Sequence, residues 1–216
     1  MEKKKILKSI LIIIIAIIAI FIIHTIKNYI IITGLQNKIT QYKDSTNYNI
    51  KSTAKEENGT TIKIDYYKKD NKQVIFLERN TGEEVSKISM YDNGERTDTF
   101  TETKDTKVAQ LNSGTIMNIN IYNYLETENK WQTLLGCVAS RIKQVNYNDK
   151  ECYNIKGFMS STSLTSEDAE TYIDKETGLF VKTTQNGTTT EREYEFNNVQ
   201  DSIFIEPDIG QYKLKE

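Results

Sequence analysis

Histidine, proline and tryptophan each occur once in 216 residues, and cysteine occurs twice. The single imidazole, His24, ends the most apolar stretch, so the chain beyond it lacks a base for Ser-His-Asp or Cys-His catalysis and any histidine ligand for a metal. No catalytic residue, metal site or cofactor is expected. Net positive charge is also missing from most of the chain. Residues 1–43 hold seven Lys and one Glu, whereas residues 44–216 hold 21 basic and 29 acidic groups. An acidic body of this kind disfavours nucleic acid and other polyanions. Carboxylate pairs do occur, at Glu83 and Glu84 and at Glu167 and Asp168, but they fall in turn-like sequence where a solvated rim explains them better than glycoside hydrolysis. No twelve-residue loop shows the alternation of an EF-hand.

What the chain has in excess is isoleucine near its start. Residues 10–23 read Ile-Leu-Ile-Ile-Ile-Ile-Ala-Ile-Ile-Ala-Ile-Phe-Ile-Ile, flanked by Ile6, Leu7 and Ile26. This approaches the roughly 20 residues that span a bilayer. A signal peptide would also place a charged segment before a short apolar run. However, no small-x-small site follows the run and no cysteine lies near it, so residues 1–26 are read as an uncleaved signal anchor. The glycine cleavage site and the glutamate of a pilin N-terminus are missing too. Lys3, Lys4, Lys5 and Lys8 precede the span and only Lys27 and Lys38 follow it closely, which puts the N-terminus in the cytoplasm and the rest outside. His24 reads as an interfacial residue at the outer face.

Residues 27–45 continue as an amphipathic helix, with Tyr29, Ile30, Ile32, Leu35, Ile39 and Tyr42 at a spacing of three to four. From residue 46 to 216 the pattern is that of short β-strands rich in Thr, Ile, Val, Tyr and Phe, separated by Asn-Gly, Thr-Gly and Asp-rich turns. Asn and Gly tolerate the positive φ of tight hairpins. Strands are expected at 48–55, 60–68, 72–79, 84–91, 97–102 and 107–111, then at 140–147, 151–159, 168–174, 179–184 and 188–196. Ile62, Ile64 and Tyr66 alternate with Lys63, Asp65 and Tyr67, the mark of one dry and one wet face. The run Val74-Ile75-Phe76-Leu77 does not alternate and predicts cover on both faces. Between the two groups of strands, residues 116–138 carry Met117, Ile121, Tyr124, Leu125, Trp131, Leu134, Leu135 and Val138 at helical spacing. The lone Pro207 lies in Ile203-Phe204-Ile205-Glu206-Pro207-Asp208, a terminal segment that can spare an N–H. Asn58-Gly59-Thr60-Thr61 with Tyr66 is echoed by Asn186-Gly187-Thr188-Thr189 with Tyr194, which shared turn chemistry explains without a duplication.

The segment Tyr172-Ile173-Asp174-Lys175-Glu176-Thr177-Gly178-Leu179-Phe180-Val181-Lys182, then Tyr194-Glu195-Phe196-Asn197-Asn198-Val199 and the Pro207 segment, resembles the end of the LolA-like superfamily. That group includes the periplasmic lipoprotein carriers and the RseB-type regulators of envelope-stress sigma factors. The order of strands and turns carries the resemblance over residues 40–212, and recognisable motif residues carry it only near the C-terminus. It implies a mainly β (α+β) domain, a curved antiparallel sheet forming a half-barrel closed by accessory helices, with a concave apolar face that accepts acyl chains. The carriers are soluble shuttles. A tethered relative, which together with the richness in Ile, Lys and Asn suggests a Gram-positive bacterium, suits lipid or lipoprotein binding at the membrane surface instead. A second reading is an envelope interaction or regulatory ectodomain with a filled core and no small-molecule ligand.

Such a family binds through a diffuse lining, so the ligand-binding candidates are simply large apolar residues, Tyr124, Trp131, Leu134, Leu135 and Phe76. At helical spacing, a helix packed on its own sheet is the competing meaning of the first four. Cys137 and Cys152 are 15 residues apart and could form a disulfide. Yet if Asn148-Asp149 turns the hairpin, Asn146 pairs with Glu151 and Cys152 faces Val145, which leaves Cys137 beyond the strand and two buried thiols as the alternative.

Overall fold

A computed structural model describes residues 2–114, 121, 125, 127, 129–158 and 169–215. Among the described residues strand predominates, with two α-helices. Its internal contacts divide it into two units, Met1–Thr40 with Tyr122–Leu179 and Gln41–Ile121 with Phe180–Glu216.

The first unit starts with a single helix, α1 (Glu2–Ile39). Its residues 6–23 are exposed throughout, and the helix is long and apolar enough to cross a membrane. From Thr25 onward the periodicity changes and Asn28, Ile32, Leu35 and Ile39 become buried at a spacing of three to four. This stripe packs against Leu125, Cys137, Ile155, Phe158 and Ile173. Cys137 comes from helix α2 (Lys130–Ala139), and Ile155 and Ile173 from a three-stranded antiparallel sheet, β7 (Arg141–Tyr147), β8 (Lys150–Lys156) and β9 (Glu170–Asp174), in the order β9-β8-β7; Leu125 and Phe158 lie outside these elements. The partner surface that the amphipathic stripe demands is therefore supplied by the chain's own strands and by α2.

Helix α2 is held at both ends by side chains. The Asn129 side chain accepts from Trp131 N and Gln132 N at its start. At its other end the carbonyls left without intrahelical partners are met by α1. Asn28 Nδ2 donates to Cys137 O at 3.0 Å and Ser140 O at 2.8 Å, and His24 Nε2 lies 3.1 Å from Ser140 O. The polar residues at the outer end of the apolar run thus finish a neighbouring helix.

In the β7–β8 hairpin Asn146 pairs with Glu151 and Val145 with Cys152, the register expected from the turn. Cys137 and Cys152 are both buried free thiols. Burial pushes Cys137 up to about 11, and burial followed by the Asp174 charge raises Cys152. The thiolate is the reactive form, so both should resist iodoacetamide at pH 8 in the folded chain. Intact-mass measurement is expected to show no adduct under native conditions and two after denaturation.

The second unit is an open sheet with strand order β12-β6-β5-β4-β3-β2-β1-β11-β10. Its strands are β1 (Asn47–Lys55), β2 (Thr61–Lys69), β3 (Lys72–Asn80), β4 (Val85–Asp92), β5 (Thr97–Glu102), β6 (Lys107–Gln110), β10 (Phe180–Gln185), β11 (Thr188–Phe196) and β12 (Lys213–Leu214). The meander β1–β6 follows the expected runs, because each Asn, Asp or Gly turn reverses the chain onto its neighbour. One feature departs from an antiparallel sheet: β12 pairs with β6 in parallel, so the sheet is mixed. A two-residue strand has no period to read, and only the tertiary return of the C-terminus creates it. The proline segment itself is not strand, since Pro207 lies between two 3₁₀ turns, Asp201–Phe204 and Ile209–Gln211.

That C-terminal return covers one face of the sheet. Val74, Tyr91, Phe100 and Ala109 are buried there, with Phe76, Phe204 and Tyr212 against them. The rings of Tyr67, Phe76, Tyr91, Phe100 and Tyr212 meet edge to face in succession, with centroids 5.1 to 5.9 Å apart. The Tyr212 hydroxyl donates to Glu102, which also pairs with Lys107. Burial, then this hydrogen bond, pushes Tyr212 up to about 12, and the same bond draws Glu102 below its usual range.

Candidate ligand-binding face

Cross-strand partners share a face of a sheet, so the register assigns every side chain of the second unit to one side. Opposite the aromatic row lies a second face. Ile50 on β1 pairs with Tyr66 on β2 and Tyr194 on β11; Tyr66 pairs with Ile75 on β3, and Ile75 with Met90 on β4. One step along, Ile64, Leu77 and Ile88 align in the same way. Ile50, Tyr66 and Ile75 are buried, whereas Ile62, Ile64, Leu77, Ile88, Met90 and Val108 are only half-buried. Side chains of this kind normally seek full cover. Here they form a continuous apolar surface across β2, β3 and β4. Towards the free edge the face runs into a groove of about 260 Å³ lined by Thr99, Thr101, Val108, Gln110 and Lys215.

Polar groups flank this apolar surface. Tyr66 donates its hydroxyl to Gln73 Oε1 at 2.7 Å, and burial raises the Tyr66 and Tyr48 hydroxyls above their ordinary values. Tyr194 is likewise raised by burial, against the opposing pull of the Arg192 charge beside it. The Tyr194 hydroxyl is in hydrogen-bond reach of the Arg192 guanidinium, whose Nε is buried without a hydrogen-bond partner of its own among the described residues.

The first unit, among the described residues, has pockets of a different kind. Its core encloses a void of only about 10 Å³ among Leu125, Ile155, Phe158 and Ile173. A cleft of about 690 Å³ at one end is lined by Lys38, Asp149, Lys150, Glu151, Asp174, Lys175, Glu176 and Thr177, charges of both signs. Three of these charges are engaged already: Lys175 pairs with Glu151 at 2.7 Å, and Asp174 accepts from Glu176 N and Thr177 Oγ1.

The candidate residues drawn from the sequence do not form one constellation. Trp131 and Leu135 lie on α2 in the first unit and are 74% and 68% exposed, while Leu134 is half-buried. Phe76 belongs to the second unit and to its aromatic face, edge-on to Tyr67 and Tyr91. Tyr124, Met117, Glu167 and Asp168 lie outside the described residues. The residues of the apolar face were visible in the sequence only as the alternation of Ile62, Ile64 and Tyr66. Once the turns fix the register, the same parity selects Leu77, Ile88 and Met90.

No family model matches the sequence, and no curated protein matches it. Among solved structures it is similar to a LolA superfamily protein from Nitrosomonas europaea, at 10% identity, with 81% of this chain and 97% of that one covered and a TM-score of 0.25.

Proposed function

We propose that this chain is a membrane-anchored binding module, not an enzyme, whose second unit accepts an acyl chain of a lipid or lipoprotein outside the cell. The observation that carries the proposal is the half-buried apolar surface of Ile62, Ile64, Leu77, Ile88 and Met90, on the side of the sheet opposite the one that the C-terminus covers. A linear hydrocarbon suits such a surface, because each methylene removed from water contributes about 0.8 kcal/mol and needs no directional partner. Helix α1 supports the anchor, with its apolar run preceded by four lysines. That charge bias favours a cytoplasmic N-terminus and keeps the binding face on the outer side.

The test is lipid content. The full chain, extracted in a mild detergent and analysed by native mass spectrometry, is expected to carry bound lipid. The double substitution of Ile64 and Leu77 by glutamate should reduce that lipid by about tenfold while leaving the far-UV spectrum unchanged, since both positions are half-exposed. A lipid-free wild-type chain would favour the regulatory reading, an ectodomain that contacts another envelope protein.

A further inference from the structure

Strand β11 ends in Glu191-Arg192-Glu193-Tyr194-Glu195-Phe196, and strand alternation sorts these residues by charge. Arg192 pairs with Ser52 and Tyr194 with Ile50, which puts both on the apolar face. The three glutamates point to the other face, where Glu195 meets Lys51 at 3.9 Å and accepts from Asn49. A guanidinium is thereby set opposite Ser52 and between Thr190 and Tyr194, with no carboxylate of its own strand on its side.

Other strands do not supply one either. The register of β1–β6 and β11 places a single carboxylate on this face, Asp92 on β4, which accepts from Gly94 N. Four strand spacings separate β4 from β11 in the sheet order, about 19 Å at the usual distance between strands. Among the described residues Arg192 forms no ion pair, and its Nε is buried without a hydrogen-bond partner. Its guanidinium lies over the Phe180 ring, 5.0 Å from the centroid, a contact that orients the charge without neutralising it. The Tyr194 hydroxyl lies beside the guanidinium and interacts with it, and Lys68, over the Tyr48 ring at 6.0 Å, adds a second cation to the same face.

Arg192 is half-buried, and its buried, unpartnered Nε costs free energy unless an acceptor completes it. We infer that the face selects acyl chains bearing an anionic head group, with Arg192 and the Tyr194 hydroxyl gripping the head and the Ile64–Leu77 surface taking the tail. The inference rests on the acyl-binding reading above and adds a head-group class to it. The shared chemistry is a carboxylate or phosphate on a single hydrocarbon chain.

The experiment uses the full chain in phosphatidylcholine nanodiscs with two photoactivatable probes, a diazirine palmitic acid and its methyl ester. Crosslinks are mapped by peptide mass spectrometry. The acid is expected to label peptides of β1–β4 and β11 at least about tenfold more than the ester, the discrimination a charge-assisted hydrogen bond provides. Arg192→Met should lower acid labelling to the level of the ester, and Arg192→Lys should keep most of it. Equal labelling by acid and ester in the wild-type chain, which needs no variant to fold, would overturn head-group selection alone. Absence of both labels would overturn the acyl-binding reading and this inference with it. Unchanged acid labelling in Arg192→Met would remove Arg192 from the site.

Discussion

Phe100→Ala is expected to destabilise the second unit by about 3–5 kcal/mol, the usual loss when a buried phenylalanine is cut back to a methyl group. Phe100 is 2% exposed and sits between Tyr91 and Tyr212, edge-on to each. Its ring links the sheet to the C-terminal segment that covers this face, so the substitution removes apolar burial and two ring contacts together. A domain is stable by only about 5–15 kcal/mol in total, so a loss of this size approaches unfolding. Hydrogen exchange of the full chain in detergent should show β3, β5 and the segment around Tyr212 opening together. Phe100→Leu keeps most of the volume and should lose less than half as much. If Phe100→Ala leaves exchange in these strands unchanged, the aromatic row does not hold the C-terminus down.

The β meander was legible because its signals are local. An Asn-Gly or Asp-rich turn fixes where the chain reverses, and the interval to the next turn fixes the register. Asn146 opposite Glu151 follows from Asn148 and Asp149 alone. The expected cover on both sides of Val74-Ile75-Phe76-Leu77 is seen only in part: Val74 and Ile75, which point to opposite faces, are buried, whereas Phe76 and Leu77 are half-buried. The partner of the amphipathic stripe on α1 was not legible, because Ile155 and Ile173 lie more than 110 residues further along the chain. Strand β12 escaped for the same reason. The candidate site was read least well. Trp131 and Phe76 stand out by size, whereas a binding face is defined by which side chains share a side of the sheet. Arg192 illustrates the difference: in sequence it is one charge between two glutamates, and only alternation separates it from them.

Gly178→Ala should be far more damaging than an ordinary glycine substitution in a turn. The Asp174-Lys175-Glu176-Thr177-Gly178 turn is closed by Gly178 N donating to Asp174 O and by Asp174 N donating to Leu179 O. Lys38, in the last turn of α1, donates to Lys175 O. Gly178 has φ +75°, and a methyl group built there would stand 2.6 Å from the carbonyl oxygen of Leu35 and 3.0 Å from Ile39 Cγ1. Two costs therefore add. The left-handed conformation costs an alanine about 1–2 kcal/mol, and the collision must push the turn away from a backbone carbonyl of α1 that cannot rotate aside. Gly82 isolates the first cost, because its φ is +87° and nothing lies within 4 Å of a methyl group there. Gly82→Ala is expected to cost about 1 kcal/mol and Gly178→Ala about 3 kcal/mol or more, the excess measuring how closely helix and turn approach. Denaturant titration of the full-length variants followed by circular dichroism gives the comparison. The Gly178 variant should also show accelerated hydrogen exchange in residues 28–39 and 170–179, the two segments that meet at this glycine. Equal losses at Gly82 and Gly178 would mean that the turn does not bear on α1, and the seating of the outer half of the helix against β9 would have to be abandoned.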